Sequence, residues 1–462
     1  MGVDDTSVHA DRMSDIDAVV WGLDADPRLH APIGSVSFFA SPLDPDRVTA
    51  RLDRASRAVP RLRQRAVASR LGLSVPRWEI DPAFTIERHV DVADGSATRG
   101  EVLERTGDEL ARPFDRDRPL WSTVIYPDLG DGTAAMISRG HHALTDGLGA
   151  LRIQLEMFDL EAEPEPPSDE PPAPDSTPPT RQARVVSAIE HDLANQTRFL
   201  HGAARFLGTA LADPTGARDE MVDAVGSALR LAGPTGEALS PLMTHRSSLP
   251  KVRTLTLDLE TMKATASAAG VKLNDVFVSG TCAGMQILHE RAGLPTERLR
   301  MAMPISTRGP DDDVETNRFV PLRFEIPLGA DSAAAHLEIV HALVAAARRE
   351  PAIGLVEPAA GIASRLPRAA LLPLFGRMVD GTDFVASNLP GSPLPVWFCG
   401  SRLVAQYPFG PLTGAAVNVS LLSYCDDVAI GVVADTAAVD DPDELVDCLR
   451  LGYARALGAC DD

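Results

Sequence analysis

Apolar residues in the first part of the chain recur in two rhythms. Short runs such as GSVSFFA, STVIYPDL and TAAMIS are strand-like, whereas DPDRVTARLDRASRAV and RGEVLERTGDELAR repeat apolar residues every three or four positions and predict helices. The same two rhythms return later, with strands predicted at VRTLTLDL, LRMAMPIS, PLRFEIPL, AVNVSLLSY and VAIGVVAD. RQARVVSAIEHDLANQTRFLHGAARFLGTALADP predicts a long helix, and PAAGIASRLPRAALLPLFGRMV a second apolar one. Arginines interspersed in both leave two readings: packing between domains, or attachment to a lipid surface and gating of a tunnel. Strands alternating with helices in both halves indicate α/β (α+β) architecture in two domains of similar design.

The alternation is interrupted once. Glu161 to Thr180 reads EAEPEPPSDEPPAPDSTPPT, rich in proline and acid with almost nothing apolar. Such a segment cannot bury enough surface to offset its ordering entropy, so it predicts a linker. The expected division is an N-terminal domain over 1–160, a linker over 161–182 and a C-terminal domain over 183–462. A chain of 462 residues is too long for one compact core, which agrees with two domains.

Charge and composition narrow the function classes. A formal charge of −21 argues against a nucleic-acid surface, and an anionic substrate would need a local cluster of Arg or Lys. Five cysteines with no CxxC pair suit a reducing cytosol and speak against a disulfide framework or a zinc finger. The N-terminus lacks a cationic segment followed by an apolar run, and no stretch of about 20 apolar residues follows, so neither a secretory signal nor a membrane span is expected. Gly2 and Thr6 fit a loose myristoylation pattern that is short and common. The expectation is a cytoplasmic protein, at most attached to a membrane or lipid droplet surface.

Chemistry concentrates in SRGHHALTDGLG, from Ser138 to Gly149, where a strand pattern gives way to a helical one. Three readings compete for His141 and His142: a metal site, a general base, or two polar residues without chemistry. His142 and Asp146 are four apart, as in some zinc sites, but no third ligand lies at a recognisable spacing, so no metal is expected. Adjacent histidines on an extended segment point to opposite sides, so only one can face a crevice. Gly147 and Gly149 permit close packing or positive φ. A histidine pair by itself is more often satisfied than catalytic. The context HHxxxDG changes those odds.

HHALTDG fits the HHxxxDG motif of coenzyme-A- and carrier-dependent acyltransferases. Together with MSDIDAVVW, LHAPIGSVSFF, PRLRQR, WEIDPAF (Trp78 to Phe84) and PLW (Pro119 to Trp121), it narrows the match. LNDVFVSG, PISTRG followed by Asn317, SNLPGSPLPVWFCGSRL and YPFGPLTGAAVNVSLLSY complete the series. In these segments and this order the chain resembles the bacterial wax ester synthase/diacylglycerol acyltransferase family over nearly its whole length. The linker is longer than the family pattern.

The resemblance implies two chloramphenicol-acetyltransferase-like domains with a substrate tunnel between them. It implies an acyl-CoA-dependent O-acyltransferase that gives triacylglycerol or wax ester, with acyl-CoA as co-substrate and no further cofactor. The partners would be acyl-CoA and a hydrophobic hydroxyl acceptor. His142 matches the general base, His141 is structural, and Asp146 organises the loop. Asn274 matches a position implicated in stabilising the oxyanion, although Asn before an apolar helix is also a favoured N-cap. Asp275 is read as structural. Arg308 in PISTRG is the candidate contact for a CoA phosphate. Seven arginines from Arg51 to Arg70 read either as a patch for an anionic partner or as a solvated helix face. SNLPG, Ser387 to Gly391, predicts a tight turn. Two alternatives stand beside the main reading: an acyltransferase acting on a specialised hydroxylated metabolite, and a lipid-binding relative without turnover.

Overall fold

The computed structural model describes residues 12–68, 75–144, 153–164, 171–175, 233, 236–247, 249–306, 319–350, 353–354 and 356–458. Asp146, Arg308, Asn317 and the helix expected over Val185–Leu211 lie outside them, as does most of the expected linker.

In the first half, α1 (Asp15–Leu23) precedes β1 (Pro32–Phe39) and α2 (Pro45–Ala58). A hairpin of β2 (Gln64–Val67) and β3 (Arg77–Ile80) is followed by β4 (Val90–Val92), α3 (Arg99–Ala111), β5 (Trp121–Tyr126) and β6 (Ala134–His141). The helices begin where their caps dictate: Ser14 on α1, Asp44 followed by proline on α2, and a Thr98–Glu101 capping box on α3.

The second half contains β7 (Pro250–Asp258), α4 (Leu259–Ala268), α5 (Leu273–Arg291), β8 (Arg298–Ser306), β9 (Phe319–Pro327) and α6 (Ala333–Ala347). α7 (Val356–Ala363) and α8 (Arg368–Val379) follow, two helices where one long pattern was expected, with Pro367 standing as the N-cap of α8. A Pro there disfavours helix at the residue before it. The chain ends with β10 (Phe384–Leu389), β11 (Trp397–Phe398), β12 (Ser401–Phe409), β13 (Val417–Tyr424), β14 (Asp427–Asp435) and α9 (Pro442–Ala456).

Two six-stranded mixed sheets result. The first runs β11-β12-β1-β6-β5-β4 and the second β7-β14-β13-β10-β8-β9. By chain order β11 and β12 belong to the second half, yet they lie in the first sheet, where β12 pairs antiparallel with β1 from Gly34–Phe409 to Phe39–Leu403. β12 is thus a strap from one half to the other. The halves also share apolar packing: Val36, Phe38, Val102 and Ile137 meet Val252, Phe409 and Val433 in one buried cluster. β14 is buried at every residue after its first, since both of its faces are covered.

Two close approaches depend on glycine. A Cβ at Gly431 of β14 would lie 1.9 Å from the Pro408 carbonyl oxygen of β12, and one at Gly452 of α9 would lie 2.1 Å from the Gly284 nitrogen of α5. SNLPG does not form the expected tight turn. Ser387, Asn388 and Leu389 are the last three residues of β10, paired parallel with β13.

Candidate active site

β6 delivers the histidine pair. His141 is its last residue, opposite Pro32 of β1, and donates its backbone N–H to the Leu120 carbonyl at 2.9 Å. His142 begins the turn that follows, and its N–H donates to the Ala31 carbonyl at 2.9 Å. The strand alternation then separates the two rings. His141 is 1% exposed, whereas His142 is half-buried.

The His141 ring is held on several sides. Its Nδ1 accepts the Ala143 N–H at 3.0 Å, so a neutral ring carries its proton on Nε2. That nitrogen lies 3.4 Å from Asp24 Oδ1, an electrostatic contact longer than a well-formed hydrogen bond. The Phe114 ring meets His141 edge-on at 5.9 Å, and the Arg139 guanidinium covers the Phe114 ring at 4.5 Å. Arg139 is itself buried, donating to Ser122 Oγ and to the carbonyls of Glu109 and Arg112. Burial pushes it down to about 10, against the opposing pull of Glu109.

Asp24, the C-cap of α1, was not singled out from the sequence. Its carboxylate meets His30 Nδ1, His141 Nε2 and, at 3.2 Å, Arg116 Nη2. Burial would raise this carboxyl, but contacts with His141 and His30 hold it well below the usual carboxylate range. His141 is pushed down by burial, and Asp24 opposes that shift. His30 lies within LHAPIGSVSFF, whereas Asp24 falls between that segment and MSDIDAVVW.

A small cleft opens between the halves beside this group. Asp24, Arg28, His30 and Pro32 line it from the first half, facing Arg246, Leu412 and Asp435 from the second. Among the described residues no group of three or more His, Cys, Asp or Glu is placed to hold a metal ion.

Asn274 is not the N-cap of its helix, and that expectation is corrected. The cap of α5 is Lys272, whose N–H donates to Asp275 Oδ2 at 2.9 Å, and Asn274 sits in the first turn beyond it. The Asn274 side chain looks away from its own backbone. Its Nδ2 donates to Met303 Sδ at 3.7 Å, a weak acceptor, and its Oδ1 accepts from Asn388 Nδ2 at 3.4 Å. Asp275 is buried, and it also bonds His341 Nδ1 at 2.7 Å.

Of the arginine run, Arg70 lies outside the described residues, and the described arginines are half-buried rather than a free patch or a solvated face. Arg51 pairs with Asp159, Arg57 and Arg63 share Asp53, and Arg61 and Arg63 cover the rings of Trp78 and Phe84 at 4.5 and 4.6 Å. Arg63 is lowered chiefly by burial. Arg63 ties the segment before β2 to Asp53 of α2, and Arg51 ties α2 to Asp159.

By its two mixed α/β halves and its histidine pair at a strand end beside the cleft, the chain falls in the class of two-domain HHxxxDG acyltransferases. The family model described as wax ester synthase/diacylglycerol acyltransferase catalytic domain matches residues 13–277, and the model of the family's C-terminal domain matches 316–454. The chain belongs to the wax ester synthase/diacylglycerol acyltransferase family and is an O-acyltransferase. It is similar to the Mycobacterium tuberculosis H37Rv protein named "Putative diacyglycerol O-acyltransferase Rv2484c", at 31% identity over 97% of this chain and 92% of that one. A second relative from the same strain, "Probable diacyglycerol O-acyltransferase tgs1", is 26% identical over 94% of this chain and 92% of its own length.

Among solved structures, the wax ester synthase/diacylglycerol acyltransferase from Marinobacter aquaeolei VT8 superposes with a TM-score of 0.64 at 18% identity, covering 96% of this chain and 98% of that one. The first condensation domain of the calcium-dependent antibiotic synthetase shares the fold at a TM-score of 0.57 and 16% identity, over 97% and 95% of the two chains.

Proposed function

We propose that the chain transfers a long-chain acyl group from coenzyme A to the hydroxyl of a diacylglycerol or a long-chain alcohol, with His142 as general base. One observation carries the assignment of the base. His142 is the half-buried member of the pair, and its backbone is bonded to Ala31, which lies between the cleft residues His30 and Pro32.

His142 takes the proton of the acceptor hydroxyl while that oxygen attacks the thioester carbonyl. The tetrahedral intermediate expels the CoA thiolate, and His142 returns the proton to sulfur. No acyl-enzyme is needed, because both substrates bind together and the thiolate leaves readily. Asn274 donates to the oxyanion, a role supported by a side chain that is committed only to weak partners. Asp146 orders the turn after the pair, and Arg308 meets a CoA phosphate.

Contact with a lipid phase is part of the same reading. Ile362 on α7 and Leu374 on α8 are 64% and 47% exposed, and Arg368 and Arg377 on α8 are exposed as well. Exposed apolar residues and cations on the same pair of helices suit an anionic bilayer, against the −21 charge of the chain. Among the described residues no helix is long and apolar enough to cross a membrane.

The test is an assay of purified protein with palmitoyl-CoA against a panel of long-chain alcohols and diacylglycerols. Ester formation with either class supports the reading, and release of CoA only with a polar hydroxylated metabolite replaces it.

A further inference from the structure

Asp24 sits where an anion is least welcome to its own helix. It closes the C-terminal end of α1, whose exposed carbonyls carry partial negative charge. It is also largely buried, with 7% of its side chain exposed. A carboxylate in such a place is retained by its partners, and those partners bracket His142. His141, in contact with Asp24 Oδ1, is the residue before it. His30, bonded to the same oxygen, precedes Ala31, whose carbonyl takes the His142 N–H. The other oxygen is anchored by Arg116, which also donates to the Trp21 carbonyl at 3.0 Å and stacks over the Trp21 ring at 4.4 Å.

We propose that Asp24 is a positioning residue for His142: it holds His141, which precedes that histidine, and His30, which precedes its backbone partner Ala31, and it keeps a fixed negative charge one residue away. The inference rests on His142 being the base. The carboxylate keeps the Nε2–H of His141 turned inward, so that the Nδ1 of His141 stays on the Ala143 N–H and the turn carrying His142 is fixed. Its charge also favours a proton on nearby imidazoles. Among the described residues, the charged groups around this turn include Asp24 at the end of α1, His30 from the loop before β1, His141 and Arg139 from β6 and Arg116 from the loop after α3. Arg28, Arg246 and Asp435 line the adjoining cleft.

The test uses the full chain with Asp24→Asn, which keeps the shape and removes the charge, and with His30→Gln, which releases one of the two ties. The first readout is the pH dependence of His142 carbethoxylation by diethyl pyrocarbonate, located by peptide mass spectrometry, which needs no acyl acceptor. In Asp24→Asn the midpoint should move to lower pH, because removing a nearby anion makes the imidazole easier to deprotonate. The second readout is turnover of palmitoyl-CoA with hexadecanol or dioleoylglycerol. Asp24→Asn should lower kcat by roughly 10- to 100-fold with KM for the thioester little changed, as misplacement of a reacting group does. Asp24→Glu should recover part of the loss, and His30→Gln should fall between.

A carbethoxylation midpoint unmoved in Asp24→Asn overturns the proposal, as does a fall in melting temperature with kcat per folded molecule unchanged. If the midpoint moves while the wild type transfers no acyl group to either acceptor, the positioning role stands and the proposed function fails.

Discussion

At the scale of single residues, one peptide bond separates a histidine shut away from water from one that reaches the surface. His141 is 1% exposed and spends Nδ1 on the Ala143 N–H, whereas His142 is half-buried beside the cleft wall. His141→Ala should therefore act mainly on stability, costing about 1–3 kcal/mol for the stranded Ala143 donor and the Asp24 carboxylate, readable in a denaturant titration. Asn274 separates catalysis from folding in another way. Since Lys272 and Asp275 cap α5, Asn274→Ala should melt close to wild type. Its turnover should nevertheless drop some hundredfold, about 3 kcal/mol of transition-state stabilisation, with little change in KM. Asn274→Asp should be nearly inactive, because it places a negative charge beside the developing oxyanion, and full activity in that variant would remove Asn274 from the mechanism. The sequence motif marked both histidines, and strand alternation required them to differ. It could not mark Asp24, whose partners His30 and His141 come from two other parts of the chain and carry no shared spacing.

At the scale of elements, the legible strands were those with a clear apolar pattern, even where the partner is distant in sequence, as for β7 against β14. β1, β5, β6, β7, β8, β9, β13 and β14 all fall on apolar or alternating runs. β12 was missed because SRLVAQYPF carries Gln406 and Pro408 among its apolar residues. No local pattern states that a strand from the second half will join the first sheet. Similarly, the arginine run looked solvated because its partners Asp159, Trp78 and Phe84 lie outside it. The strap makes a prediction about glycine. Gly431→Ala would drive a methyl into the Pro408 carbonyl, and backbone there cannot give as a flexible side chain could. A loss of about 1–3 kcal/mol is expected, with activity falling alongside because the two halves shift at the cleft. An unchanged denaturation midpoint would mean that β12 and β14 are less tightly held than their geometry implies.

At the scale of the whole molecule, acid should loosen the fold before the surface carboxylates titrate. His89, His141, His289 and His336 are buried, and burial lowers each from its ordinary value of 6.5. Below pH 6.5 the unfolded chain takes up protons that the folded chain refuses, so stability falls as pH falls. Asp24, held low, adds a further loss once the pH drops below about 4, where the unfolded carboxyl protonates. Asp383, raised by burial, works in the opposite direction there. The melting temperature should decline steadily from pH 6.5 downward, and a flat profile between pH 7 and 5 would contradict the assignment of these histidines as neutral in the fold. Dialysis against a strong chelator should leave turnover unchanged, since the thioester is already activated. Loss of activity restored by zinc would return the histidine pair to a metal site. The central claim is that His142 is the base of an acyl-CoA-dependent ester synthesis, and the most direct measurement is kcat for His142→Ala beside wild type. The assay follows CoA release and ester formation from palmitoyl-CoA with hexadecanol or dioleoylglycerol, and circular dichroism verifies that both proteins are folded. A loss of roughly 10² to 10⁴-fold with normal folding is the predicted result, the range that a positioned base contributes. A folded His142→Ala protein that still makes ester at the wild-type rate would contradict the account.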